Sequence, residues 1–209
     1  MAASTPGGRA DLRAYYEREA ELGARRPLQG HRVEVRTEFL ALLAAEGRVS
    51  VLDAGAGPGL DGGAFVAAGH RYVGIDLAGG NARLAAAAGS TVVQGSIAAL
   101  PIRPRSFDAG WSFSTLMHLS GEEAGPAMAE IIAALRPGAP LVVGTWGRES
   151  EESYVDEVAI PGRRRAFHLR SFDRNRALLA DRAAVEWSDL LPLDTLDQDY
   201  HLFGLRVPA

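Results

Sequence analysis

The chain has 209 residues, 47% of them hydrophobic and 23% charged, the make-up of one soluble globular domain. A net charge of −4 argues against a nucleic-acid partner held by bulk electrostatics. The absence of cysteine excludes disulfides, thiolate metal sites and a cysteine nucleophile, and it fits a reducing cytoplasm.

The opening MAASTPGGRAD lacks an apolar signal core, and its first ten or so residues read as a mobile tail. Residues 11–46 read as helical, with Leu40, Leu42 and Leu43 marking an apolar face and Gly47 a stop. Residues 1–46 are thus expected to be a tail and helical cap on a main domain spanning 47–209. Short apolar runs follow and read as strands: VSVLDAG (49–55), RYVGIDL (71–77), TVVQG (91–95), FDAGWSFS (107–114) and PLVVGTW (140–146). Between them lie DGGAFVAAG, NARLAAAAG and GEEAGPAMAEIIAALRPG. The last is a good helix, with Glu122 and Glu123 near its start and RPG at its end. This alternation predicts an α/β fold, a mostly parallel sheet with helices on both faces and right-handed crossovers.

The C-terminal part reads differently. RSFDRNRALLADR is a predicted helix, and AVEWSDLL and QDYHLFGLRVP are predicted strands. The short link PLDTLD between those strands favours an antiparallel pair at the sheet edge, because a parallel crossover needs about a dozen residues. Residues 147–170 are too long for a plain connection and are expected to cover a substrate. No apolar run approaches the roughly 20 residues that span a bilayer, so no membrane partner is expected.

The stretch VLDAGAGPGLDGG (51–63) holds two overlapping patterns. Gly55, Gly57 and Gly59 form GxGxG, and Gly57, Gly59 and Gly62 form GxGxxG, the dinucleotide fingerprint. Either way the loop follows a strand of a parallel sheet, where ligands bind. The second register needs Asp53, Gly55 and Ala56 to be strand, and Asp and Gly are poor strand residues. It also sets Asp61 beside a pyrophosphate. Asp53, read as unpaired at the mouth, favours instead a ligand bearing an ammonium and a sulfonium. Asp76 ends the next strand, 21 positions after Gly55, where a carboxylate accepts hydrogen bonds from both ribose hydroxyls.

Together VLDAGAGPG, YVGIDLA, VVQGSIAALPIRPRSFDAGWSFSTLMHL and LRPGAPLVVGTW resemble the class I S-adenosylmethionine-dependent methyltransferases, over roughly residues 34–147. QDYHLFGLRVP resembles that family's antiparallel last strand. The resemblance implies a Rossmann-like seven-stranded, mostly parallel sheet with an antiparallel C-terminal edge strand. It implies S-adenosylmethionine as cofactor and methyl transfer to an O or N atom of a small-molecule acceptor. Asp53, Gly55, Ala56, Gly57 and Gly59 would surround the methionine part, Asp76 would bind the ribose, and Leu77 would pack on the adenine. Ser96 and Ile97 would meet the adenine edge, where many family members carry an acid and this chain has GSI. Ser112 would contact the cofactor through its backbone.

Methyl transfer needs alignment more than a fixed catalyst, and a base serves only where the acceptor must lose a proton. His118, after the fourth strand, is the candidate base, weighed against a structural role. Trp146, His31 and Tyr16 are candidates for the acceptor wall. No His or acidic pair has metal-ligand spacing on one helix, so no metal is expected. Three alternatives stand: non-methyl-transfer chemistry on the same cofactor, an NAD-dependent oxidoreductase, and a binding module without turnover. A monomer or a homodimer is expected.

Overall fold

A computed structural model describes residues 8–23, 28–192 and 198–209. Residues 1–7 of the expected N-terminal tail, the 24–27 part of the helical cap and most of the PLDTLD link lie outside them, while Arg9 and Ala10, read as tail, begin the first helix. Two helices come first, α1 (Arg9–Glu21) and α2 (Gly30–Ala45), and Gly47 closes α2 with a positive φ of 63°. Alternation follows: β1 (Ser50–Ala54), α3 (Gly62–Ala67), β2 (Arg71–Asp76), α4 (Gly79–Ala87), β3 (Val92–Gln94), β4 (Ala109–Phe113). A 3₁₀ turn (Leu116–His118) leads to α5 (Gly121–Ala134) and β5 (Pro140–Gly147). The chain ends with β6 (Glu152–Asp156), β7 (Arg165–Leu169), α6 (Phe172–Ala180), β8 (Ala184–Pro192) and β9 (Asp199–Arg206).

Seven strands form one sheet in the order β3-β2-β1-β4-β5-β9-β8. The first five pair in parallel, as the alternation required. β9 runs antiparallel to both β5 and β8. The last strand is therefore inserted beside β5, and β8 takes the edge.

Alternating side chains put a core on each face. Val51 and Trp111 face Phe39 and Leu43 of α2 and Phe65 of α3. Leu52, Ile75 and Leu141 face Met128 and Ile131 of α5 and Leu179 of α6. α5 begins with a capping box: Ser120 Oγ accepts from Glu123 N–H, and Glu123 Oε2 accepts from Ser120 N–H.

Residues 147–170 contain an antiparallel hairpin, β6 with β7, in a second small sheet. It is fixed to the 3₁₀ turn by Arg170, whose guanidinium donates to the carbonyls of Leu116 and Leu119. The carboxyl ends of β1–β4, α1, the 3₁₀ turn and the hairpin together enclose a chamber of about 1400 Å³.

Candidate active site

β1 stops at Ala54, so Gly55 is the first glycine after the strand and GxGxG is the register of the turn. Gly55 has a φ of 85°, and a Cβ there would sit 1.9 Å from Thr115 Oγ1. Gly55→Ala is therefore expected to lower stability by about 1–3 kcal/mol, read by chemical denaturation. Gly57 also has a positive φ, 56°, and nothing lies within 4 Å of a Cβ built on it. It leaves the backbone bare toward the chamber, as close ligand approach requires. Gly55, Ala56 and Gly57 all line the chamber.

Asp76 stands beside them. Its carboxylate accepts from Gly57 N–H at 2.8 Å, Ala78 N–H at 2.9 Å and Asn81 Nδ2 at 3.0 Å. Burial holds its pKa above the ordinary carboxylate value, against the pull of those donors. Leu77, Ser96 and Ile97 continue the same wall.

Four sequence candidates lie behind the wall rather than on it. Asp53 is not unpaired at the mouth. It is buried, its Oδ2 accepts from Tyr72 O–H at 2.7 Å, and burial, with Asp61 nearby, pushes its carboxyl up to about 7. Gly59 turns away because its loop packs on α4, where a Cβ would meet Ala85 Cβ at 2.9 Å. Ser112 points between strands and donates to Ala54 O at 2.8 Å. His31 packs on Tyr200 with tilted rings, centroids 4.7 Å apart, and does not line the chamber.

The serine that lines the chamber at the end of β4 is Ser114, two positions on. Its φ is 55°, unusual for a residue with a side chain, and its N–H donates to Gly144 O. No sequence signal marks it.

Asp61, which the dinucleotide register would set beside a pyrophosphate, is fully buried and holds α2 to the sheet. Its carboxylate accepts from Arg32 Nε at 2.8 Å, Arg36 Nη1 at 2.8 Å and Trp111 Nε1 at 2.9 Å. Arg32 lines the chamber, with its guanidinium 5.1 Å from the Phe113 ring centroid.

At the other end the structure joins two sequence candidates. Tyr16 Oη and His118 Nε2 are 2.7 Å apart, and His118 Nδ1 is 2.7 Å from Ala166 O. A carbonyl only accepts, so Nδ1 carries the imidazole proton and Nε2 accepts from Tyr16 O–H. Burial pushes the Tyr16 phenol up to about 12, so it is neutral and holds its proton. Arg165 packs beside them, between the Tyr15 and Phe167 rings at 4.5 and 4.9 Å, with its Nε donating to Asp156 at 2.8 Å.

Aromatic rings complete the chamber. Trp146 packs edge-on to Tyr200, and Tyr154 stacks on Phe167 across the hairpin at 5.0 Å. Gln198 Nε2 donates to Tyr154 Oη, tying the hairpin to the start of β9. Tyr154 and Phe167 escaped the sequence reading, because neither ESYVD nor RAFHL alternates as a half-buried strand does. Among the described residues no group of acids and histidines can hold a metal ion, and no helix is long and apolar enough to cross a membrane.

Comparison with known proteins bears on the fold. Residues 52–143 match the model of a methyltransferase domain. No curated protein matches the chain. A solved 1,6-didemethyltoxoflavin-N1-methyltransferase from Burkholderia thailandensis, with its acceptor and S-adenosylhomocysteine bound, superposes with a TM-score of 0.73. It is 23% identical over 100% of this chain and 93% of its own. Magnesium protoporphyrin IX methyltransferase from Synechocystis PCC 6803, with S-adenosylmethionine bound, superposes with a TM-score of 0.72 at 16% identity, over 99% and 100% of the two chains. The cyclase SpnF superposes at 0.63 with 18% identity, over 82% of this chain and 80% of its own. At such identities the likeness is one of fold. Residues 52–143 thus match a methyltransferase domain, and the fold of the described residues is that of the class I S-adenosylmethionine-dependent methyltransferases.

Proposed function

We propose that the protein transfers a methyl group from S-adenosylmethionine to an O or N atom of a small aromatic or heteroaromatic acceptor. The residues present fit the cofactor: Gly57 lines the chamber with bare backbone and open space above it, and Asp76 lines it as a carboxylate for the ribose. Bound there, S-adenosylmethionine supplies a methyl group already activated by its sulfonium. The chain supplies orientation, exclusion of water and a path for a proton.

The observation that carries the reading is the Tyr16–His118–Ala166 chain at the wall of an aromatic chamber. The acceptor proton moves to Tyr16 Oη as the Tyr16 proton moves to His118 Nε2. The imidazole keeps its Nδ1 proton on Ala166 O, which holds the ring in place through the step. Trp146 and Phe167 offer flat apolar faces to a ring, and residues 147–170 cover it together with the N-terminal helices. The likeness to a methyltransferase whose bound acceptor is 1,6-didemethyltoxoflavin supports a planar acceptor. The net charge of −4 supports a partner other than nucleic acid, and the absence of cysteine supports work in the cytoplasm.

The test is turnover of S-adenosylmethionine with a panel of hydroxylated and N–H heteroaromatic compounds, against aliphatic alcohols and amines of similar size. A mass gain of one methyl on a panel ring is expected. Turnover confined to aliphatic acceptors, or a product isomeric with its substrate, overturns the reading. On the acceptor found, Tyr16→Phe and His118→Gln are each expected to lower kcat by about 10²–10³-fold while leaving cofactor affinity near wild type.

A further inference from the structure

The chamber floor has a direction. Along the sheet order β3-β2-β1-β4 it runs from Ser96 and Ile97, past Asp76, to Gly55–Gly57 and then Phe113 and Ser114. With the ribose at Asp76 and the adenine toward Ser96, the amino-acid end of S-adenosylmethionine falls over β1 and β4. That end carries a carboxylate as well as an ammonium. A carboxylate leaving water for a half-open, protein-walled chamber gains from a cation with donors to spare.

Arg32 is the cation on the β4 side. It lines the chamber over the Phe113 ring, and its side chain is only 17% exposed. Nε and Nη2 are both spent on Asp61 Oδ2, while Nη1 donates to no described residue. Arg36, one helical turn on, takes Asp61 Oδ1 and does not line the chamber. Two part-buried guanidiniums therefore share one buried carboxylate. The other acid of the cluster, Asp53, has its carboxyl pushed up by burial, and its Oδ2 accepts from Tyr72 O–H rather than from either guanidinium. Arg165 and Arg9, the other described arginines of the chamber wall, are paired with Asp156 and Glu123.

We propose that Arg32 Nη1 receives the α-carboxylate of S-adenosylmethionine, which makes Arg32 the residue that fixes the methionine end of the cofactor. The inference rests on the cofactor reading above. Asp61 then does more than hold α2 in place. By engaging Nε and Nη2 it leaves the guanidinium one free edge and one orientation. The excess positive charge of the Arg32–Arg36–Asp61 cluster becomes a built-in counter-charge for an incoming anion.

The test is calorimetric titration with S-adenosylhomocysteine and with its decarboxylated analogue, S-adenosyl-3-thiopropylamine, which keeps the adenosine, thioether and ammonium. The wild type is expected to favour S-adenosylhomocysteine by on the order of 10–100-fold, the worth of a charge-assisted hydrogen bond. Arg32→Gln loses that preference and binds the analogue at least as well as the wild type does. Arg36→Gln, which disturbs the same carboxylate away from the chamber, keeps it. If Arg32→Gln does not give a cooperative thermal transition, Arg32→Lys replaces it, with a reduced preference expected. Equal binding of both compounds by the wild type, or a preference retained in the Arg32 variant, overturns the proposal and leaves the cofactor reading intact. Binding of neither compound by the folded wild type overturns the cofactor reading, and the proposal with it.

Discussion

Asp61→Ala is expected to destabilise the protein by about 3–5 kcal/mol, the usual cost of stranding a buried charge by removing its partner. Asp61 is fully buried, and Arg32 and Arg36 are 17% and 14% exposed, so solvent screens the three only weakly. The substitution leaves both guanidiniums and the Trp111 N–H without their acceptor. For a chain of 209 residues this lowers Tm by on the order of 10 °C, measurable by scanning calorimetry. Asp61→Asn separates the causes. It keeps an oxygen for Trp111 but loses the charge, so a loss close to that of alanine assigns the effect to the ion pairs. A change within about 0.5 kcal/mol for both variants would mean that α2 is held by its apolar face alone.

Asp76→Ala is expected to weaken binding of S-adenosylmethionine and S-adenosylhomocysteine by on the order of 100-fold or more, as loss of two charge-assisted hydrogen bonds predicts. The same carboxylate organises the loop, accepting from Gly57, Ala78 and Asn81. Asp76→Asn tests the charge, because it keeps one acceptor oxygen while turning an N–H₂ toward backbone donors. The sign of the pH dependence follows from the direction of the shift. Burial makes Asp76 easier to protonate than a free aspartate, so affinity falls on acidification, beginning at higher pH than an exposed carboxylate would give. Calorimetric titration across pH reads this directly. Affinity unchanged in Asp76→Ala would remove the ribose assignment.

The sheet was legible because its physics is local. Apolar runs bounded by Gly and Pro mark strands, and alternation with helices forces parallel pairing. The loop was legible because its first glycine must follow a strand directly. Burial of charge was not legible. Asp53 and Asp61 read as loop acids, yet each is satisfied by residues that only the fold brings near: Tyr72 from the neighbouring strand for one, Arg32, Arg36 and Trp111 for the other. Ser112 and Ser114 are both serines at a strand end. Only the backbone, which turns to a φ of 55° at Ser114, decides which of them meets the chamber. Tyr16 and His118 were separate candidates 102 residues apart, and the docking of α1 makes them one unit.

That docking has a kinetic consequence. Glu17 accepts from the N–H groups of Gly79 and Gly80 at the start of α4, beside Asp76. Tyr16, its neighbour in α1, reaches His118 at the opposite end of the chamber. A single rigid helix is thus bolted at both ends of the binding path. Because Tyr16 and Glu17 are adjacent in one helix, displacement of α1 would release both contacts together. On the proton path proposed above, displacement of α1 would therefore disarm the site as it frees Glu17.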